Sequence, residues 1–284
     1  MKSSSFHYHV PASVPEALRL LTSLADEDPR IIAGGQSLVP MMAFRMAQPA
    51  HLIDINNIGA LTGLDVSGGD LHIGALVRHA QFGNPVVEGP LGALLSYVMH
   101  HIAHAPIRTR GTFCGSLAHA DPASEWCLAA ITLGASIDAQ SERGLRTIGA
   151  DELLAGLMST TLEPDEIIVG VRIPLLPQAT RFGFYEFSRR PGDYAMAMSL
   201  VTYEIENGLI RNARLGVGGA EDRPRRSEAA EAVLNGKEPG KIAFEAAANV
   251  AASGVEPMED IQADASYRRD LVRVAVRRAL EHSL

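Results

Sequence analysis

Two stretches of this chain hold residue types that could bind a phosphate group. The first, Ala33-Gly34-Gly35-Gln36-Ser37, follows the short apolar run Ile31-Ile32. Paired glycines at the end of a strand let consecutive main-chain N–H groups converge on one anion, because glycine accepts positive φ and close approach. The same residues would also serve as a plain strand-to-helix turn. The second stretch runs from Ile107 to Glu125 as IRTRGTFCGSLAHADPASE. In it Thr112-Phe113-Cys114-Gly115-Ser116 places hydroxyls beside glycines, so main-chain and side-chain donors could face a diphosphate together. The working expectation is that the two stretches meet in space as halves of one anion cradle. No Gly-Lys-Ser/Thr follows the first loop and no Gly-x-Gly-x-x-Gly occurs there, so neither a P-loop nor a Rossmann fingerprint is present.

Other reactive side chains are weaker candidates. His100 and His104 would stand one turn apart on a helix opened by Pro90 and running toward Pro106. That spacing suits a metal pair, but no carboxylate or cysteine ligand lies near, and histidines at a helix C-terminus are favoured by the dipole alone. Cys114 reads as a small residue in a tight loop, since no base is paired with it, and Cys127 reads as core packing beside Trp126. Asp121-Pro122 reads as a helix cap with proline in the first turn. Glu125 follows as an acid that either favours the helix dipole or accepts from a ribose. No convincing acid/base pair or Ser-His-Asp order emerges.

The elements that would position these residues can be sketched from pattern. Ser13-Val14-Pro15-Glu16 opens a helix carrying Leu18 and Leu21, and strands at residues 31–33 and 52–55 complete a small βαββ unit. A hairpin is expected around Ser67-Gly68-Gly69-Asp70, strands at 135–139 and 167–173, and a short helix capped by Asp151. A strand from Tyr194 to Ile205 turns at Asn207-Gly208. Helices should cover 227–254 and 265–282. The last bears Arg268, Arg269, Arg273, Arg277 and Arg278, a face read as solvated or as a subunit contact.

At 284 residues, with 46% apolar and 20% charged residues, the chain is long enough for two or three subdomains. Its balance of 25 Lys and Arg against 33 Asp and Glu gives −8, which disfavours a nucleic-acid partner. Two cysteines make no disulfide framework, and no apolar run reaches the roughly 20 residues of a membrane span. A cytoplasmic protein is the expectation.

Taken together, these motifs resemble the FAD-binding medium subunit of molybdenum hydroxylases, as in carbon-monoxide dehydrogenase or the flavin domain of xanthine dehydrogenase. The resemblance rests on Ala33–Pro40, on Ile107-Arg108-x-Arg110-Gly111-Thr112-x-x-Gly115-Ser116, and on Ala118-His119-Ala120-Asp121-Pro122-Ala123-Ser124-Glu125. Glu163-Pro164-Asp165-Glu166-Ile167-Ile168, Ser188-Arg189-Arg190-x-Gly192-Asp193-Tyr194-Ala195 and Tyr267-Arg268-Arg269-x-Leu271 follow in the same order. It implies an α+β chain with a vanillyl-alcohol-oxidase-type (PCMH-type) FAD-binding fold and a C-terminal α+β cap domain. The subdomains would span residues 1–58, 59–177 and 178–284.

By that resemblance Ala33, Gly34, Gly35, Gln36 and Ser37, with Thr112, Phe113, Cys114, Gly115 and Ser116, hold the FAD diphosphate. Glu125 lies near the ribose, Asp165 on the adenine side, and Tyr194 beside the isoalloxazine. It further implies a molybdenum-cofactor large subunit, an iron–sulfur small subunit, and a dimer of heterotrimers. Electrons would leave for NAD, oxygen, a quinone or a cytochrome. The chain departs from the family where Phe113-Cys114-Gly115 stands for Ile-Gly-Gly, Gln36 for His and Glu125 for Asp. A self-sufficient flavin reductase or oxidase of the same fold, and an assembly subunit that has lost its flavin, are the rival readings.

Overall fold

The computed structural model describes residues 2–283, arranged on three principal sheets. The first contains β1 (His7–His9), β2 (Pro29–Ile32) and β3 (His51–Asp54), all parallel, with β3 in the middle. Parallel neighbours need crossovers. Helix α1 (Val14–Ser23) links β1 to β2 and buries Ala17, Leu18 and Leu21. At its start the Ser13 hydroxyl accepts from the Glu16 N–H at 3.4 Å, and the Glu16 carboxylate accepts from Ala12 N–H at 2.8 Å. Helix α2 (Leu38–Ala43) links β2 to β3 and begins where the first glycine turn ends.

The second sheet is antiparallel throughout. Its chain order opens with β4 (Leu64–Ser67) and β5 (Asp70–Gly74). Four helices come next: α3 (Pro90–Met99), α4 (Ala105–Arg108), α5 (Phe113–His119) and α6 (Glu125–Leu133). Then follow β6 (Ser136–Ser141), β7 (Gly144–Gly149) and α7 (Ala150–Leu153), the small β8 (Leu154–Gly156) and β9 (Ser159–Thr160) pair, and β10 (Ile167–Pro174). In space the order is β4-β5-β10-β6-β7, so the last strand in sequence is the central one. The third sheet, β11 (Arg181–Phe187), β12 (Ala197–Glu206), β13 (Leu209–Gly218) and β14 (Arg225–Arg226), is antiparallel and in sequence order. Helices α8 (Glu228–Leu234), α9 (Lys241–Ser253) and α10 (Ala265–His282) complete this part, with a core that includes Tyr203, Phe244 and Val272. Asn207 (φ 53°) and Gly208 (φ 78°) make the β12–β13 turn with both central residues left-handed, as a two-residue hairpin of this hand requires.

Several expectations are corrected by local hydrogen bonding. Helix α3 stops at Met99, short of Pro106, because Ala103 is left-handed (φ 41°) and Arg108 takes the carbonyls of Ile102 and Ala103, each at 2.9 Å. His100 and His104 therefore do not share a helix face. The helix beyond Asp121 starts later than expected: Ser124 caps α6 by accepting from Cys127 N–H, while the Asp121 carboxylate accepts from Ala123 N–H at 2.8 Å. Gly149, not Asp151, precedes α7. Residues 227–254 form two helices, since Gly236 N–H donates to Ile210 and Ile210 N–H donates to Lys237, drawing this segment onto β13. Tyr194 lies before β12 and not within it. Arg268 is not on a solvated face: its side chain is 6% exposed and donates to the carbonyls of Met196 and Gly219 and to Asp260.

Candidate cofactor site

The two glycine-bearing loops meet. Gly34 lies so close to the second loop that a Cβ placed on it would sit 2.3 Å from the Arg110 carbonyl oxygen and 2.8 Å from Gly111 Cα. Gly35 is left-handed (φ 71°) and starts the turn into α2. A side-chain bridge fastens the junction. Arg78 donates to the Arg110 carbonyl and to Asn56 Oδ1, and Asn56 Nδ2 donates to the Ala33 carbonyl at 2.8 Å. One arginine from the second unit and one asparagine from the first thus hold both halves of the cradle.

Between the loops lies a cavity of about 550 Å³, in the size range of small-molecule and cofactor sites. Ala33, Gly34, Gly35, Gln36 and Ser37 line it from one side, and Thr112, Cys114, Gly115 and Ser116 from the other. Its far wall includes Met158, Leu162, Glu166, Ile167 and Ile168. Among the described residues the main-chain N–H groups of Gly34, Gly35, Gln36 and Ser37 donate to nothing in the protein, and neither does that of Cys114. Gln36 folds its amide back onto the Gly34 carbonyl at 3.2 Å. Thr112 caps α5 by accepting from Gly115 N–H at 3.0 Å, and Arg78 and Arg110 add positive charge behind the loop. Unpaired main-chain donors, hydroxyls and cationic surroundings form a donor set that fits a diphosphate.

The remaining predicted residues fall elsewhere. Phe113 points into the core, its ring tilted against those of Phe82 (5.9 Å) and Trp126 (4.8 Å). Cys114 is 3% exposed and its thiol, its pKa pushed upward by burial, donates to the Ile73 carbonyl. Its main chain reaches the cavity while its sulfur faces away, so the Gly-to-Cys departure costs the loop no donor. Asp165 faces Arg143 outside the cavity wall, whereas its neighbour Glu166 lines the wall and is held by Arg146 at 2.6 and 2.7 Å. That bidentate contact keeps the Glu166 carboxyl below the usual range.

Glu125 stands at the start of α6 next to a residue that pattern alone did not single out. Its carboxyl comes within hydrogen-bond reach of Glu186 on β11, a contact that needs one shared proton, and Glu186 Oε2 is buried without a donor. Burial raises both carboxyls well above their ordinary value, and their mutual repulsion raises Glu186 further. Tyr194, 70% exposed, sits nearby, its hydroxyl raised by local desolvation and then by the charges of Asp121 and Glu125.

Since the folded chain binds these protons more tightly than the unfolded one, stability should fall as pH rises above the ordinary glutamate value of 4.5. Glu186→Gln should flatten that fall. The variant is expected to melt higher than the wild type at pH 8 and alike at pH 4.5. Parallel melting profiles across that range would show that the two acids do not share a proton.

The sequence matches the model of the FAD-binding domain in molybdopterin dehydrogenase over residues 4–176, and that of the carbon-monoxide-dehydrogenase flavoprotein C-terminal domain over residues 182–283. The chain belongs to the FAD-binding medium-subunit family of the molybdenum hydroxylases. It is 42% identical to the nicotine 6-hydroxylase medium subunit of Paenarthrobacter nicotinovorans, over 99% of this chain and 98% of that one. The structure of carbon monoxide dehydrogenase from Hydrogenophaga pseudoflava, in a form lacking the Mo-pyranopterin moiety, superposes with a TM-score of 0.95 at 37% identity, covering 100% of this chain and 98% of that chain. Quinoline 2-oxidoreductase from Pseudomonas putida 86 gives 0.93 at 36% identity, over the same shares of each chain.

As a medium subunit, the chain is an FAD-carrying component of an oxidoreductase complex, with the PCMH-type fold expected from its motifs. No described helix is long and apolar enough to cross a membrane, and no group of three or more described His, Cys, Asp or Glu residues is arranged to hold a metal ion. Pattern alone missed Arg78, Asn56, His79 and Glu186. None stands in a local motif, because each acts through partners 20 or more residues away.

Proposed function

We propose that this chain is the electron-transfer subunit of a molybdenum hydroxylase, taking electrons from the iron–sulfur clusters of a small subunit and passing them to an external acceptor. The observation that carries the reading is the meeting of Gly34 with Arg110 and Gly111. It joins the unpaired main-chain N–H groups of Gly34, Gly35, Gln36 and Ser37 and that of Cys114 around one cavity. When bound, FAD supplies the redox step between the single-electron donors and the external acceptor.

The protein's part in this reading is to hold and orient. Ala33–Ser37 and Thr112–Ser116 would hold the diphosphate through the free main-chain N–H groups of Gly34, Gly35, Gln36, Ser37 and Cys114 and through the Ser37, Thr112 and Ser116 hydroxyls. Phe113 backs the second loop from the core. In this reading Glu125 would take the ribose side, Tyr194 would serve the isoalloxazine, and Asp165, paired with Arg143, would brace the adenine end from outside the cavity wall. Hydroxylation takes place in a molybdenum-cofactor large subunit, in a dimer of heterotrimers working in the cytoplasm.

The test begins with the full-length chain purified alone. It should acquire a flavin absorption spectrum with FAD and hydroxylate nothing, and it should co-purify with one large and one small subunit when these are coexpressed. A chain that stays colourless under saturating FAD, or that turns over a substrate unaided, would overturn the proposal.

A further inference from the structure

His79 is buried, 4% exposed, yet it lines the cavity, and it plays no part in the cradle as described so far. It opens a short turn after Arg78, and its main-chain N–H donates to the Gly111 carbonyl at 2.9 Å, which sets the ring directly behind the second loop. Trp126 Nε1 lies 2.9 Å from His79 Nδ1. An indole nitrogen can only donate, so His79 Nδ1 must be the acceptor, and the proton of the neutral ring resides on Nε2. Phe82 (5.1 Å) and Phe113 (4.8 Å) pack on the indole and fix its direction. The ring's other end is pressed on Gly111: a Cβ there would lie 2.5 Å from Nε2, so only glycine leaves this nitrogen open toward the cavity. Among the described residues no acceptor takes the Nε2–H.

We infer that His79 is a cofactor-binding residue, donating its Nε2–H to the diphosphate of FAD, with Trp126 as the positioning residue that selects the tautomer. The inference rests on the FAD reading of the cavity and adds to it a buried imidazole donor beside the main-chain and hydroxyl ones. Burial, then the charges of Arg78 and Arg108, lower the His79 pKa to about 4, which keeps the ring uncharged at working pH. It therefore grips an anion by direction and not by charge.

Two substitutions in the full-length chain separate the ring's two ends. His79→Asn retains an acceptor near the Nδ1 position for Trp126 and removes the Nε2 donor. His79→Gln returns an N–H near the Nε2 position. ADP, which carries the diphosphate without a flavin, and FAD are titrated calorimetrically into wild type and variants, with apo-protein melting as the folding control. His79→Asn is expected to weaken ADP and FAD alike, by about ten- to a hundredfold, as loss of a donor to a charged acceptor does. His79→Gln should recover most of that loss.

In the wild type, ¹⁵N imidazole shifts should report a protonated Nε2 and a bare Nδ1 with or without ADP, and the Hε2 resonance should move on binding. Unchanged ADP affinity in a folded His79→Asn chain, or a proton found on Nδ1, would overturn the inference while leaving wild-type FAD binding intact. Absence of FAD binding by the wild type would instead sink the reading beneath it.

Discussion

Gly34→Ala is expected to remove tight FAD binding, weakening it by about a hundredfold or more, a loss on the scale of a severe single-site effect. The added methyl would sit 2.3 Å from the Arg110 carbonyl, and that carbonyl cannot retreat because Arg78 holds it from behind. Nor can the first loop withdraw, since Asn56 ties the Ala33 carbonyl to the same arginine. The two loops must part, and the donors that face one diphosphate would no longer share a centre. Gly68→Ala is the matched control. Gly68, unlike Gly34, is left-handed (φ 62°) and has open space around it, so its cost is conformational, about 1 kcal/mol, and FAD affinity should be unchanged. Flavin fluorescence titration of both variants checks the contrast. Wild-type affinity in Gly34→Ala would mean that the junction does not form the site.

Arg268→Met should produce the largest loss of stability in the C-terminal part, about 3–5 kcal/mol, with FAD affinity little altered. The guanidinium donates to Met196 and Gly219, two carbonyls at the ends of β12 and β13, at 3.1 and 2.9 Å, and pairs with Asp260 at 2.6 Å. Methionine fills the volume but leaves both carbonyls buried without donors. Arg268→Lys should not rescue it fully, because one ammonium cannot reproduce the planar fork that reaches three acceptors. Urea unfolding followed by far-UV circular dichroism gives the comparison. A variant within about 1 kcal/mol of wild type would show that water replaces the arginine there.

What could be read from residues alone divides along a physical line. The β12–β13 hairpin was legible because Asn207-Gly208 is a local instruction, complete within two residues. Helix α10 was legible because its apolar spacing persists over five turns. The two cradle loops were legible because glycine and hydroxyl side chains beside strand and helix ends report a main-chain requirement. Arg268 was misread since its helical spacing looks like that of its exposed neighbours, and only the third sheet supplies the carbonyls that bury it. Helix α3 was drawn too long for a related reason: the residue that ends it, Arg108, reaches back to Ile102 and Ala103 from the next helix. The bridge of Arg78 and Asn56, and the pairing of Glu125 with Glu186, join segments far apart in the chain, and no short window of sequence contains both members.

The central place of β10 in the second sheet has a consequence for synthesis of the chain. Its neighbours β5 and β6 end at residues 74 and 141, yet they have no hydrogen-bonded contact with each other until residues 167–174 arrive to lie between them. The cavity wall formed by Ile167 and Ile168 belongs to that same late strand. A nascent chain holding both glycine loops outside the ribosome still lacks one side of the cofactor's enclosure. Retention of FAD thus becomes possible only after about three-fifths of the polypeptide has emerged. The topology sets a timetable in which flavin loading follows translation of the whole second sheet, as long-range strand pairing delays folding generally.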